Sequence, residues 1–276
     1  MTETRLVTIP EWRQVSWLYH GFSTRLGGVS DVYGGKSLNL GWTKEDTPEA
    51  VRQNRRLLVE AVTGKPPSGV ILVTVRQVHS NTIHRVEARS RLLETAEEKS
   101  VLEGDGLITD APGVLLAAGT ADCVPVLLVD PENRAVGAFH AGWRGTAARI
   151  VEQGVERMRK EFGTRPEDLL AAVGPSIGAC CYTVGQDVRD QFAEQFAYSE
   201  NLFRPQPSEE GQARFKIDLW EANRRQLLDA GLQPRKISVV GECTACTVEP
   251  SGEPRYFSHR AQAGRTGRML NVIGIR

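Results

Sequence analysis

Two short apolar runs, Val114 to Ala118 and Val124 to Val129, have no polar residue inside them. Uninterrupted apolar stretches of this length predict strands buried on both faces. The second run is followed by Pro131-Glu132-Asn133-Arg134 and then by Ala135 to Gly145, which predicts a hairpin whose bend comes from Pro and Asn. Upstream, Val70 to Val78 is rich in β-branched residues and predicts a strand leading into His79, with a second short strand over Ile83 to Val86. Downstream, Ala147, Val151, Val155, Met158 and Phe162 recur at helical spacing. Val184, Val188, Phe192 and Phe196 mark another helix, and Asp218 is placed to cap a third that runs to Gly231. Residues 89–103 read as a charged loop or short solvated helix. Residues 199–214, with Pro205, Pro207 and a Ser-Glu-Glu-Gly run, read as an exposed loop. No repeat and no composition break divides the chain, so the pattern predicts one α/β domain with mixed sheets over residues 1–276.

Composition narrows the picture. The chain has 276 residues, 40% hydrophobic and 25% charged, enough to bury a full core. Its 34 basic and 34 acidic residues cancel, so no global field favours nucleic acid or an anionic membrane as a partner. Met1-Thr-Glu-Thr-Arg lacks the pattern of a secretory signal, and the longest uncharged stretch, around residues 111–121, is too short to span a bilayer. Five cysteines, an odd number, suggest reduced thiols. The expectation is a cytoplasmic protein.

The predicted hairpin carries the first candidate chemistry. Centred between Pro131 and Glu132, it sets Cys123 directly opposite His140, with Cβ atoms roughly 4.5–5.5 Å apart. A thiol and an imidazole that close can share a metal ion or act as a nucleophile–base pair. Asp122, next to Cys123, should point to the opposite face of a regular strand. Cys243-Thr-Ala-Cys246 has no second ligand pair of matching spacing, and Cys180-Cys181 is an adjacent pair, so all four read as small packing residues.

Six segments then occur in order: His20-Gly-Phe-Ser-Thr-Arg25-Leu-Gly-Gly-Val-Ser30, Gln77-Val-His79, Asp105-Gly-Leu-Ile-Thr-Asp110, Ala121-Asp-Cys123-Val-Pro125, His140-Ala-Gly-Trp-Arg-Gly145 and Gly174-Pro-Ser-Ile-Gly178. Together they resemble the YfiH, or laccase-domain, family, labelled multicopper polyphenol oxidases and associated with purine nucleoside phosphorylase and adenosine deaminase activity. The resemblance implies two mixed β-sheets packed face to face and flanked by helices, in α/β/β/α layers. It also implies zinc held by His79, Cys123 and His140, with a purine nucleoside and phosphate as the small-molecule partners.

Three protein ligands leave a position open for water or substrate. The same ligand types suit a blue-copper site, but laccase chemistry needs a further copper cluster. Removing the implied ligands leaves His20, His84 and His259, too few for one. Nucleobase deaminases carry H-x-E and P-C-x-x-C motifs; here Glu242 precedes Cys243 and no His-x-Glu occurs. For phosphate, Arg144 lies just before a helix predicted near Thr146, and Arg25 precedes Gly27-Gly28 in a turn. Both occur in the family's motifs. Arg260, Arg265 and Arg268 alternate with Gly264 and Gly267 and are weaker candidates. Where the family commonly has Phe-Ser-Tyr-Arg, this chain has Phe257-Ser-His259-Arg260, so His259 must make any nucleoside contact that the tyrosine makes. Cys123 and Asp122 are the candidate catalytic residues. Asp105 is a possible proton carrier, although a turn or strand-capping aspartate is the simpler reading. A metal-free Cys–His hydrolase and a non-catalytic zinc-binding module remain the alternatives from other classes.

Overall fold

The computed structural model describes residues 5–64, 69–87 and 100–276, so most of the charged segment expected over 89–103 lies outside the described residues. One large sheet has the spatial order β1 (Leu6–Val7), β2 (Leu18–Ser23), β15 (Met269–Ile275), β7 (Val114–Thr120) and β4 (Ile71–Val73). A second has the order β14 (Ile237–Val239), β10 (Leu170–Val173), β8 (Val124–Asp130), β9 (Ala135–Ala141), β6 (Gly106–Thr109) and β5 (Ile83–Arg85). Both are mixed, because β4 runs parallel to β7, β14 to β10 and β5 to β6, while the other pairings are antiparallel. A small third sheet has the order β11 (Thr183–Gly185), β13 (Gln212–Ile217), β12 (Phe203–Glu209), and β3 (Leu26–Ser30) stands outside all three.

Strand periodicity sorts the apolar side chains into layers. Leu127, Val129, Val136 and Ala138 of the second sheet meet Val114, Leu116, Ile273 and Ile275 of the first in a shared core. The intervening residues Leu115, Ala117 and Val272 face α1 (Pro48–Thr63) through Leu58 and Val59. On the far side, Val124, Val126, Leu128 and Phe139 pack on α3 (Ile150–Phe162), α4 (Gln186–Gln195) and α5 (Leu219–Asp229). The layers are therefore helix, sheet, sheet, helices. Each fully buried Leu or Val contributes roughly 1.5–3 kcal/mol by leaving water. That is why the two runs on β7 and β8 carry no polar residue on either face.

The hairpin register differs from the expectation by two residues. Val124 pairs with Ala141 and Pro125 with His140, down to Asp130 with Ala135. The Asp130 carboxylate accepts hydrogen bonds from the backbone N–H of Glu132 and Asn133, both at 3.0 Å, and from Asn133 Nδ2 at 2.8 Å. This Asx-type capture makes a four-residue loop and moves the centre of the hairpin. Cys123 then falls just before β8. A slip of two residues leaves each side chain on its predicted face.

Three other expectations change. Residues 199–214 hold most of the β12–β13 hairpin, which turns at Glu210-Gly211 with φ of 50° and 76°. Pro205 and Pro207 are tolerated because β12 is an edge strand and needs fewer N–H donors. The helix expected from Ala147 onward breaks at Arg149 (φ 58°), which separates the short α2 (Trp143–Ala147) from α3. Val184 belongs to β11, with α4 starting two residues later. The third helix stands as read: Asp218 caps α5 by accepting Glu221 N at 3.0 Å. No helix among the described residues is long and apolar enough to cross a membrane.

Candidate metal centre and its pocket

His79, Cys123 and His140 come together despite the altered register. Each offers a ligand atom, and these atoms all lie within 4.8 Å of one another. His140 sits near the end of β9, 3% exposed, and its Nδ1 is 2.8 Å from Asp105 Oδ1. That bond leaves Nε2 of His140 to face Cys123. His79 and His140 meet edge to face with ring centroids 5.0 Å apart. Cys123 Sγ lies 3.9 Å from His79 Nε2.

Asp105, 1% exposed and just ahead of β6, organises this geometry. Besides His140, its carboxylate accepts the backbone N–H of Val78 (3.3 Å), His79 (3.0 Å) and Ser80 (2.6 Å), and the Ser80 hydroxyl (2.8 Å). These bonds hold His79 at φ 61°, a left-handed conformation that a non-glycine residue keeps only when its surroundings impose it. Burial opposes ionisation of Asp105, but the His140 and Ser80 bonds outweigh it and lower its pKa to about 2. The loop is tied again by Gln77, whose side-chain amide exchanges two 2.7 Å bonds with the backbone of Gly119 on β7.

The electrostatics favour a thiolate beside an imidazolium. Burial pushes the Cys123 thiol up, yet His140 and His79 overcome this and bring it down to about 6. Burial works against His140 charging, but Cys123 and Asp105 raise it to about 9. The donors also fit zinc. Tetrahedral zinc with sulfur at 2.3 Å and nitrogen near 2.0–2.1 Å separates the two by about 3.6 Å, close to the Cys123–His79 distance. A carboxylate on the far nitrogen of a ligand histidine is the usual outer support of such a site. Among the described residues no fourth His, Cys, Asp or Glu joins the cluster.

These three side chains line a cavity of about 740 Å³, together with Asp122, Arg144, His259 and Arg260. Asp122, with φ 93°, turns its carboxylate toward Thr244 Oγ1 (2.7 Å) and the backbone N–H of Arg260 (2.7 Å), while its carbonyl accepts Ile177 N (2.9 Å). It clamps three loops around the centre. Arg144 is exposed and lies over the Trp143 ring at 4.2 Å; it belongs to α2 instead of preceding a helix. Arg260 lies 5.3 Å from the Tyr182 ring and donates to the Thr183 carbonyl. Arg25 does not line the cavity. It is 8% exposed, donates to the Tyr33 carbonyl and lies over Phe257 at 5.1 Å.

Sequence reasoning missed Trp42, Arg55 and Tyr182, which line the same cavity. Arg55 comes from α1, whose cap Thr47 accepts Ala50 N at 3.2 Å and whose first turn holds Pro48. A helix-start signal was therefore present in the sequence. Of the remaining cysteines, all expected to be packing residues, Cys243 is buried, whereas Cys180 and Cys246 are exposed and Cys181 is intermediate.

A four-layer α/β fold with a three-donor His–Cys–His centre, set in a cavity bordered by arginines, defines the class. The family described as multi-copper polyphenol oxidoreductase laccase matches residues 19–276, and the chain belongs to it. A Deinococcus radiodurans relative named purine nucleoside phosphorylase is 40% identical over 258 residues, covering 93% of this chain and 88% of its own length. An unidentified prokaryote supplies a relative named adenosine deaminase RL5, 36% identical over 203 residues, covering 73% and 74%. The crystal structure of Bacillus licheniformis YfiH superposes with a TM-score of 0.86 at 34% identity, covering 99% of this chain and 97% of its own. The chain is thus a member of a family of enzymes.

Proposed function

We propose that this protein is a zinc-dependent purine nucleoside phosphorylase of the cytoplasm, acting on adenosine, inosine or guanosine, possible extensions being methylthioadenosine and the deamination of adenosine. The observation that carries this reading is one cavity holding the His79–Cys123–His140 centre together with Arg144 and Arg260. The relatives' names supply the reaction class.

In the reaction, phosphate oxygen forms a bond to the anomeric carbon of the sugar while the bond from that carbon to the purine nitrogen breaks. Zinc held by His79, Cys123 and His140 would supply a Lewis acid facing the cavity. Arg144 and Arg260 stand on the cavity wall with Arg55, Arg76 and Arg268, and would bind the phosphate as charge-assisted donors. Asp105 accepts the proton on His140 Nδ1 and so aims Nε2 at the centre, where a bound metal would take the place of its proton. Trp42 offers a buried indole N–H without a partner among the described residues, and His259 offers an exposed imidazole; both are placed to meet the base. Asp122 acts here as a positioning residue, because its carboxylate is already bonded to Thr244 and Arg260. Arg25 lies over the Phe257 ring, off the cavity wall, and is not assigned to phosphate.

Copper oxidase chemistry is the weaker reading, for a reason of placement. His20 Nε2 accepts the N–H of Ile9, and His84 Nε2 donates to the Glu103 carbonyl, so neither joins the centre. Only His259 lines the cavity besides the two ligands, too few imidazoles for a trinuclear copper cluster. The deciding assay is phosphate-dependent release of free base from adenosine or inosine, with ammonia release from adenosine scored in parallel. Cys123→Ala should lower both zinc content and phosphorolysis by at least about tenfold. Full activity in that variant would refute the zinc reading, and base release by metal-free protein without phosphate would favour the Cys–His hydrolase class.

A further inference from the structure

A second cluster stands apart from the centre described above and shares no residue with it. Cys180, Cys181, Cys243 and Cys246 bring four sulfur atoms within 4.8 Å of one another. They come from two loops. Cys180 and Cys181 lie between β10 and β11, and Cys243 and Cys246 follow β14. Because β10 and β14 are parallel neighbours, both loops leave the same end of the sheet. Ser176 N donates to Glu242 O (3.2 Å) and Thr244 N to Ser176 O (3.1 Å), which fixes the two loops side by side.

The geometry inside the cluster is that of a metal knuckle. In Cys243-Thr-Ala-Cys246, the N–H groups of Cys246 (3.4 Å) and Thr247 (2.9 Å) turn back to the Cys243 carbonyl. Across the cluster, Cys181 N donates to the Gly178 carbonyl at 3.0 Å. Gly178 N points at Cys243 Sγ from 3.3 Å, a backbone donor that favours a thiolate there. Tetrahedral zinc with four sulfurs at 2.3 Å separates neighbouring sulfurs by about 3.8 Å. Cys180 Sγ and Cys246 Sγ are 3.7 Å apart. Apolar packing does not explain this arrangement, since two of the four side chains are exposed and only Cys243 is buried.

We infer that Cys180, Cys181, Cys243 and Cys246 form a second, structural zinc site, closed by four thiolates. Binding releases the thiol protons to solvent and forms four Zn–S bonds, with no change of oxidation state. The site staples two loops that also build the cavity. Ile177 and Tyr182 on the first loop line it, and Thr244 on the second holds Asp122. A site closed by four cysteines leaves no position for substrate, so its work is to hold that wall.

The test is zinc stoichiometry of the purified full-length chain under non-oxidising conditions, with zinc as the probe, alongside native mass spectrometry. Wild type should hold two zinc ions per chain. Cys180→Ser/Cys246→Ser should hold one, at the His–Cys–His centre. Cys123→Ala should also hold one, with an X-ray absorption signature of four sulfur neighbours. Cobalt exchanged into wild type should show the thiolate-to-metal absorption of tetrahedral sulfur ligation, and this reading needs no variant to fold. One zinc in wild type that disappears in Cys123→Ala would overturn the proposal while leaving the proposed phosphorylase site intact. Iron in place of zinc, or a disulfide seen as a two-hydrogen mass loss, would overturn it as well.

Discussion

At the scale of single residues, Asp105 holds the centre together more than either of the histidines it serves. Its carboxylate fixes the His79 loop and the tautomer of His140 at once. Asp105→Asn keeps the shape but loses the charge that matches these donors. The expected outcome is a 10–100-fold loss of zinc affinity in a competition titration and roughly 3 kcal/mol of stability in urea unfolding. Unchanged zinc affinity would show that the His79 loop holds itself. His20 gives an independent test far from any ligand. Burial lowers its pKa from 6.5 to about 4, so the folded state holds it neutral while the unfolded chain takes up a proton first. Its contribution is complete above pH 6.5 and is lost progressively as pH falls toward 4, amounting to about 3 kcal/mol. His20→Gln can still accept the Ile9 N–H but does not titrate. Its unfolding free energy should fall less steeply over that window, and an identical pH slope in the two proteins would exclude the assignment.

At the scale of elements, the sequence pattern carries the buried strands and most helices, and misses what depends on turn chemistry. β7, β8 and β9 follow from apolar runs because burial on both faces leaves no other composition available. The hairpin register does not follow, because it is set by Asp130 capturing two backbone N–H groups, an interaction with no hydrophobic signature. The candidate centre was still legible, through Cys123 and His140 in one hairpin. His79 came only from the family resemblance, since the bond network that delivers it spans residues 77 to 119. The β12–β13 hairpin was hidden by its prolines, which suit an edge strand and suggest a loop. Helix α5 offers the cleanest check of local reasoning. Asp218→Ala removes its N-cap and should cost about 1 kcal/mol in chemical denaturation, with no effect on zinc content. A loss of zinc in that variant would mean that α5 is coupled to the centre more tightly than its contacts indicate.

At the scale of the whole molecule, the two sheets share one core and the cavity draws on loops from both. The five-stranded sheet has a topological peculiarity: β15 lies between β2 and β7, pairing with both, yet follows every other element along the chain. Until Met269–Ile275 is in place, β2 and β7 present unpaired edges to each other, and exposed edges of this kind recruit other chains. A chain ending before Met269 should therefore collect in the insoluble fraction on expression. A soluble truncated chain with native circular dichroism would show that the sheet closes without it. Synthesis is directional, and the order of the strands turns that direction into a checkpoint: Met269–Ile275 has to leave the ribosome before this sheet exists. From the completion of β7 until then, a nascent chain carries the two halves of this sheet apart, each with an open edge.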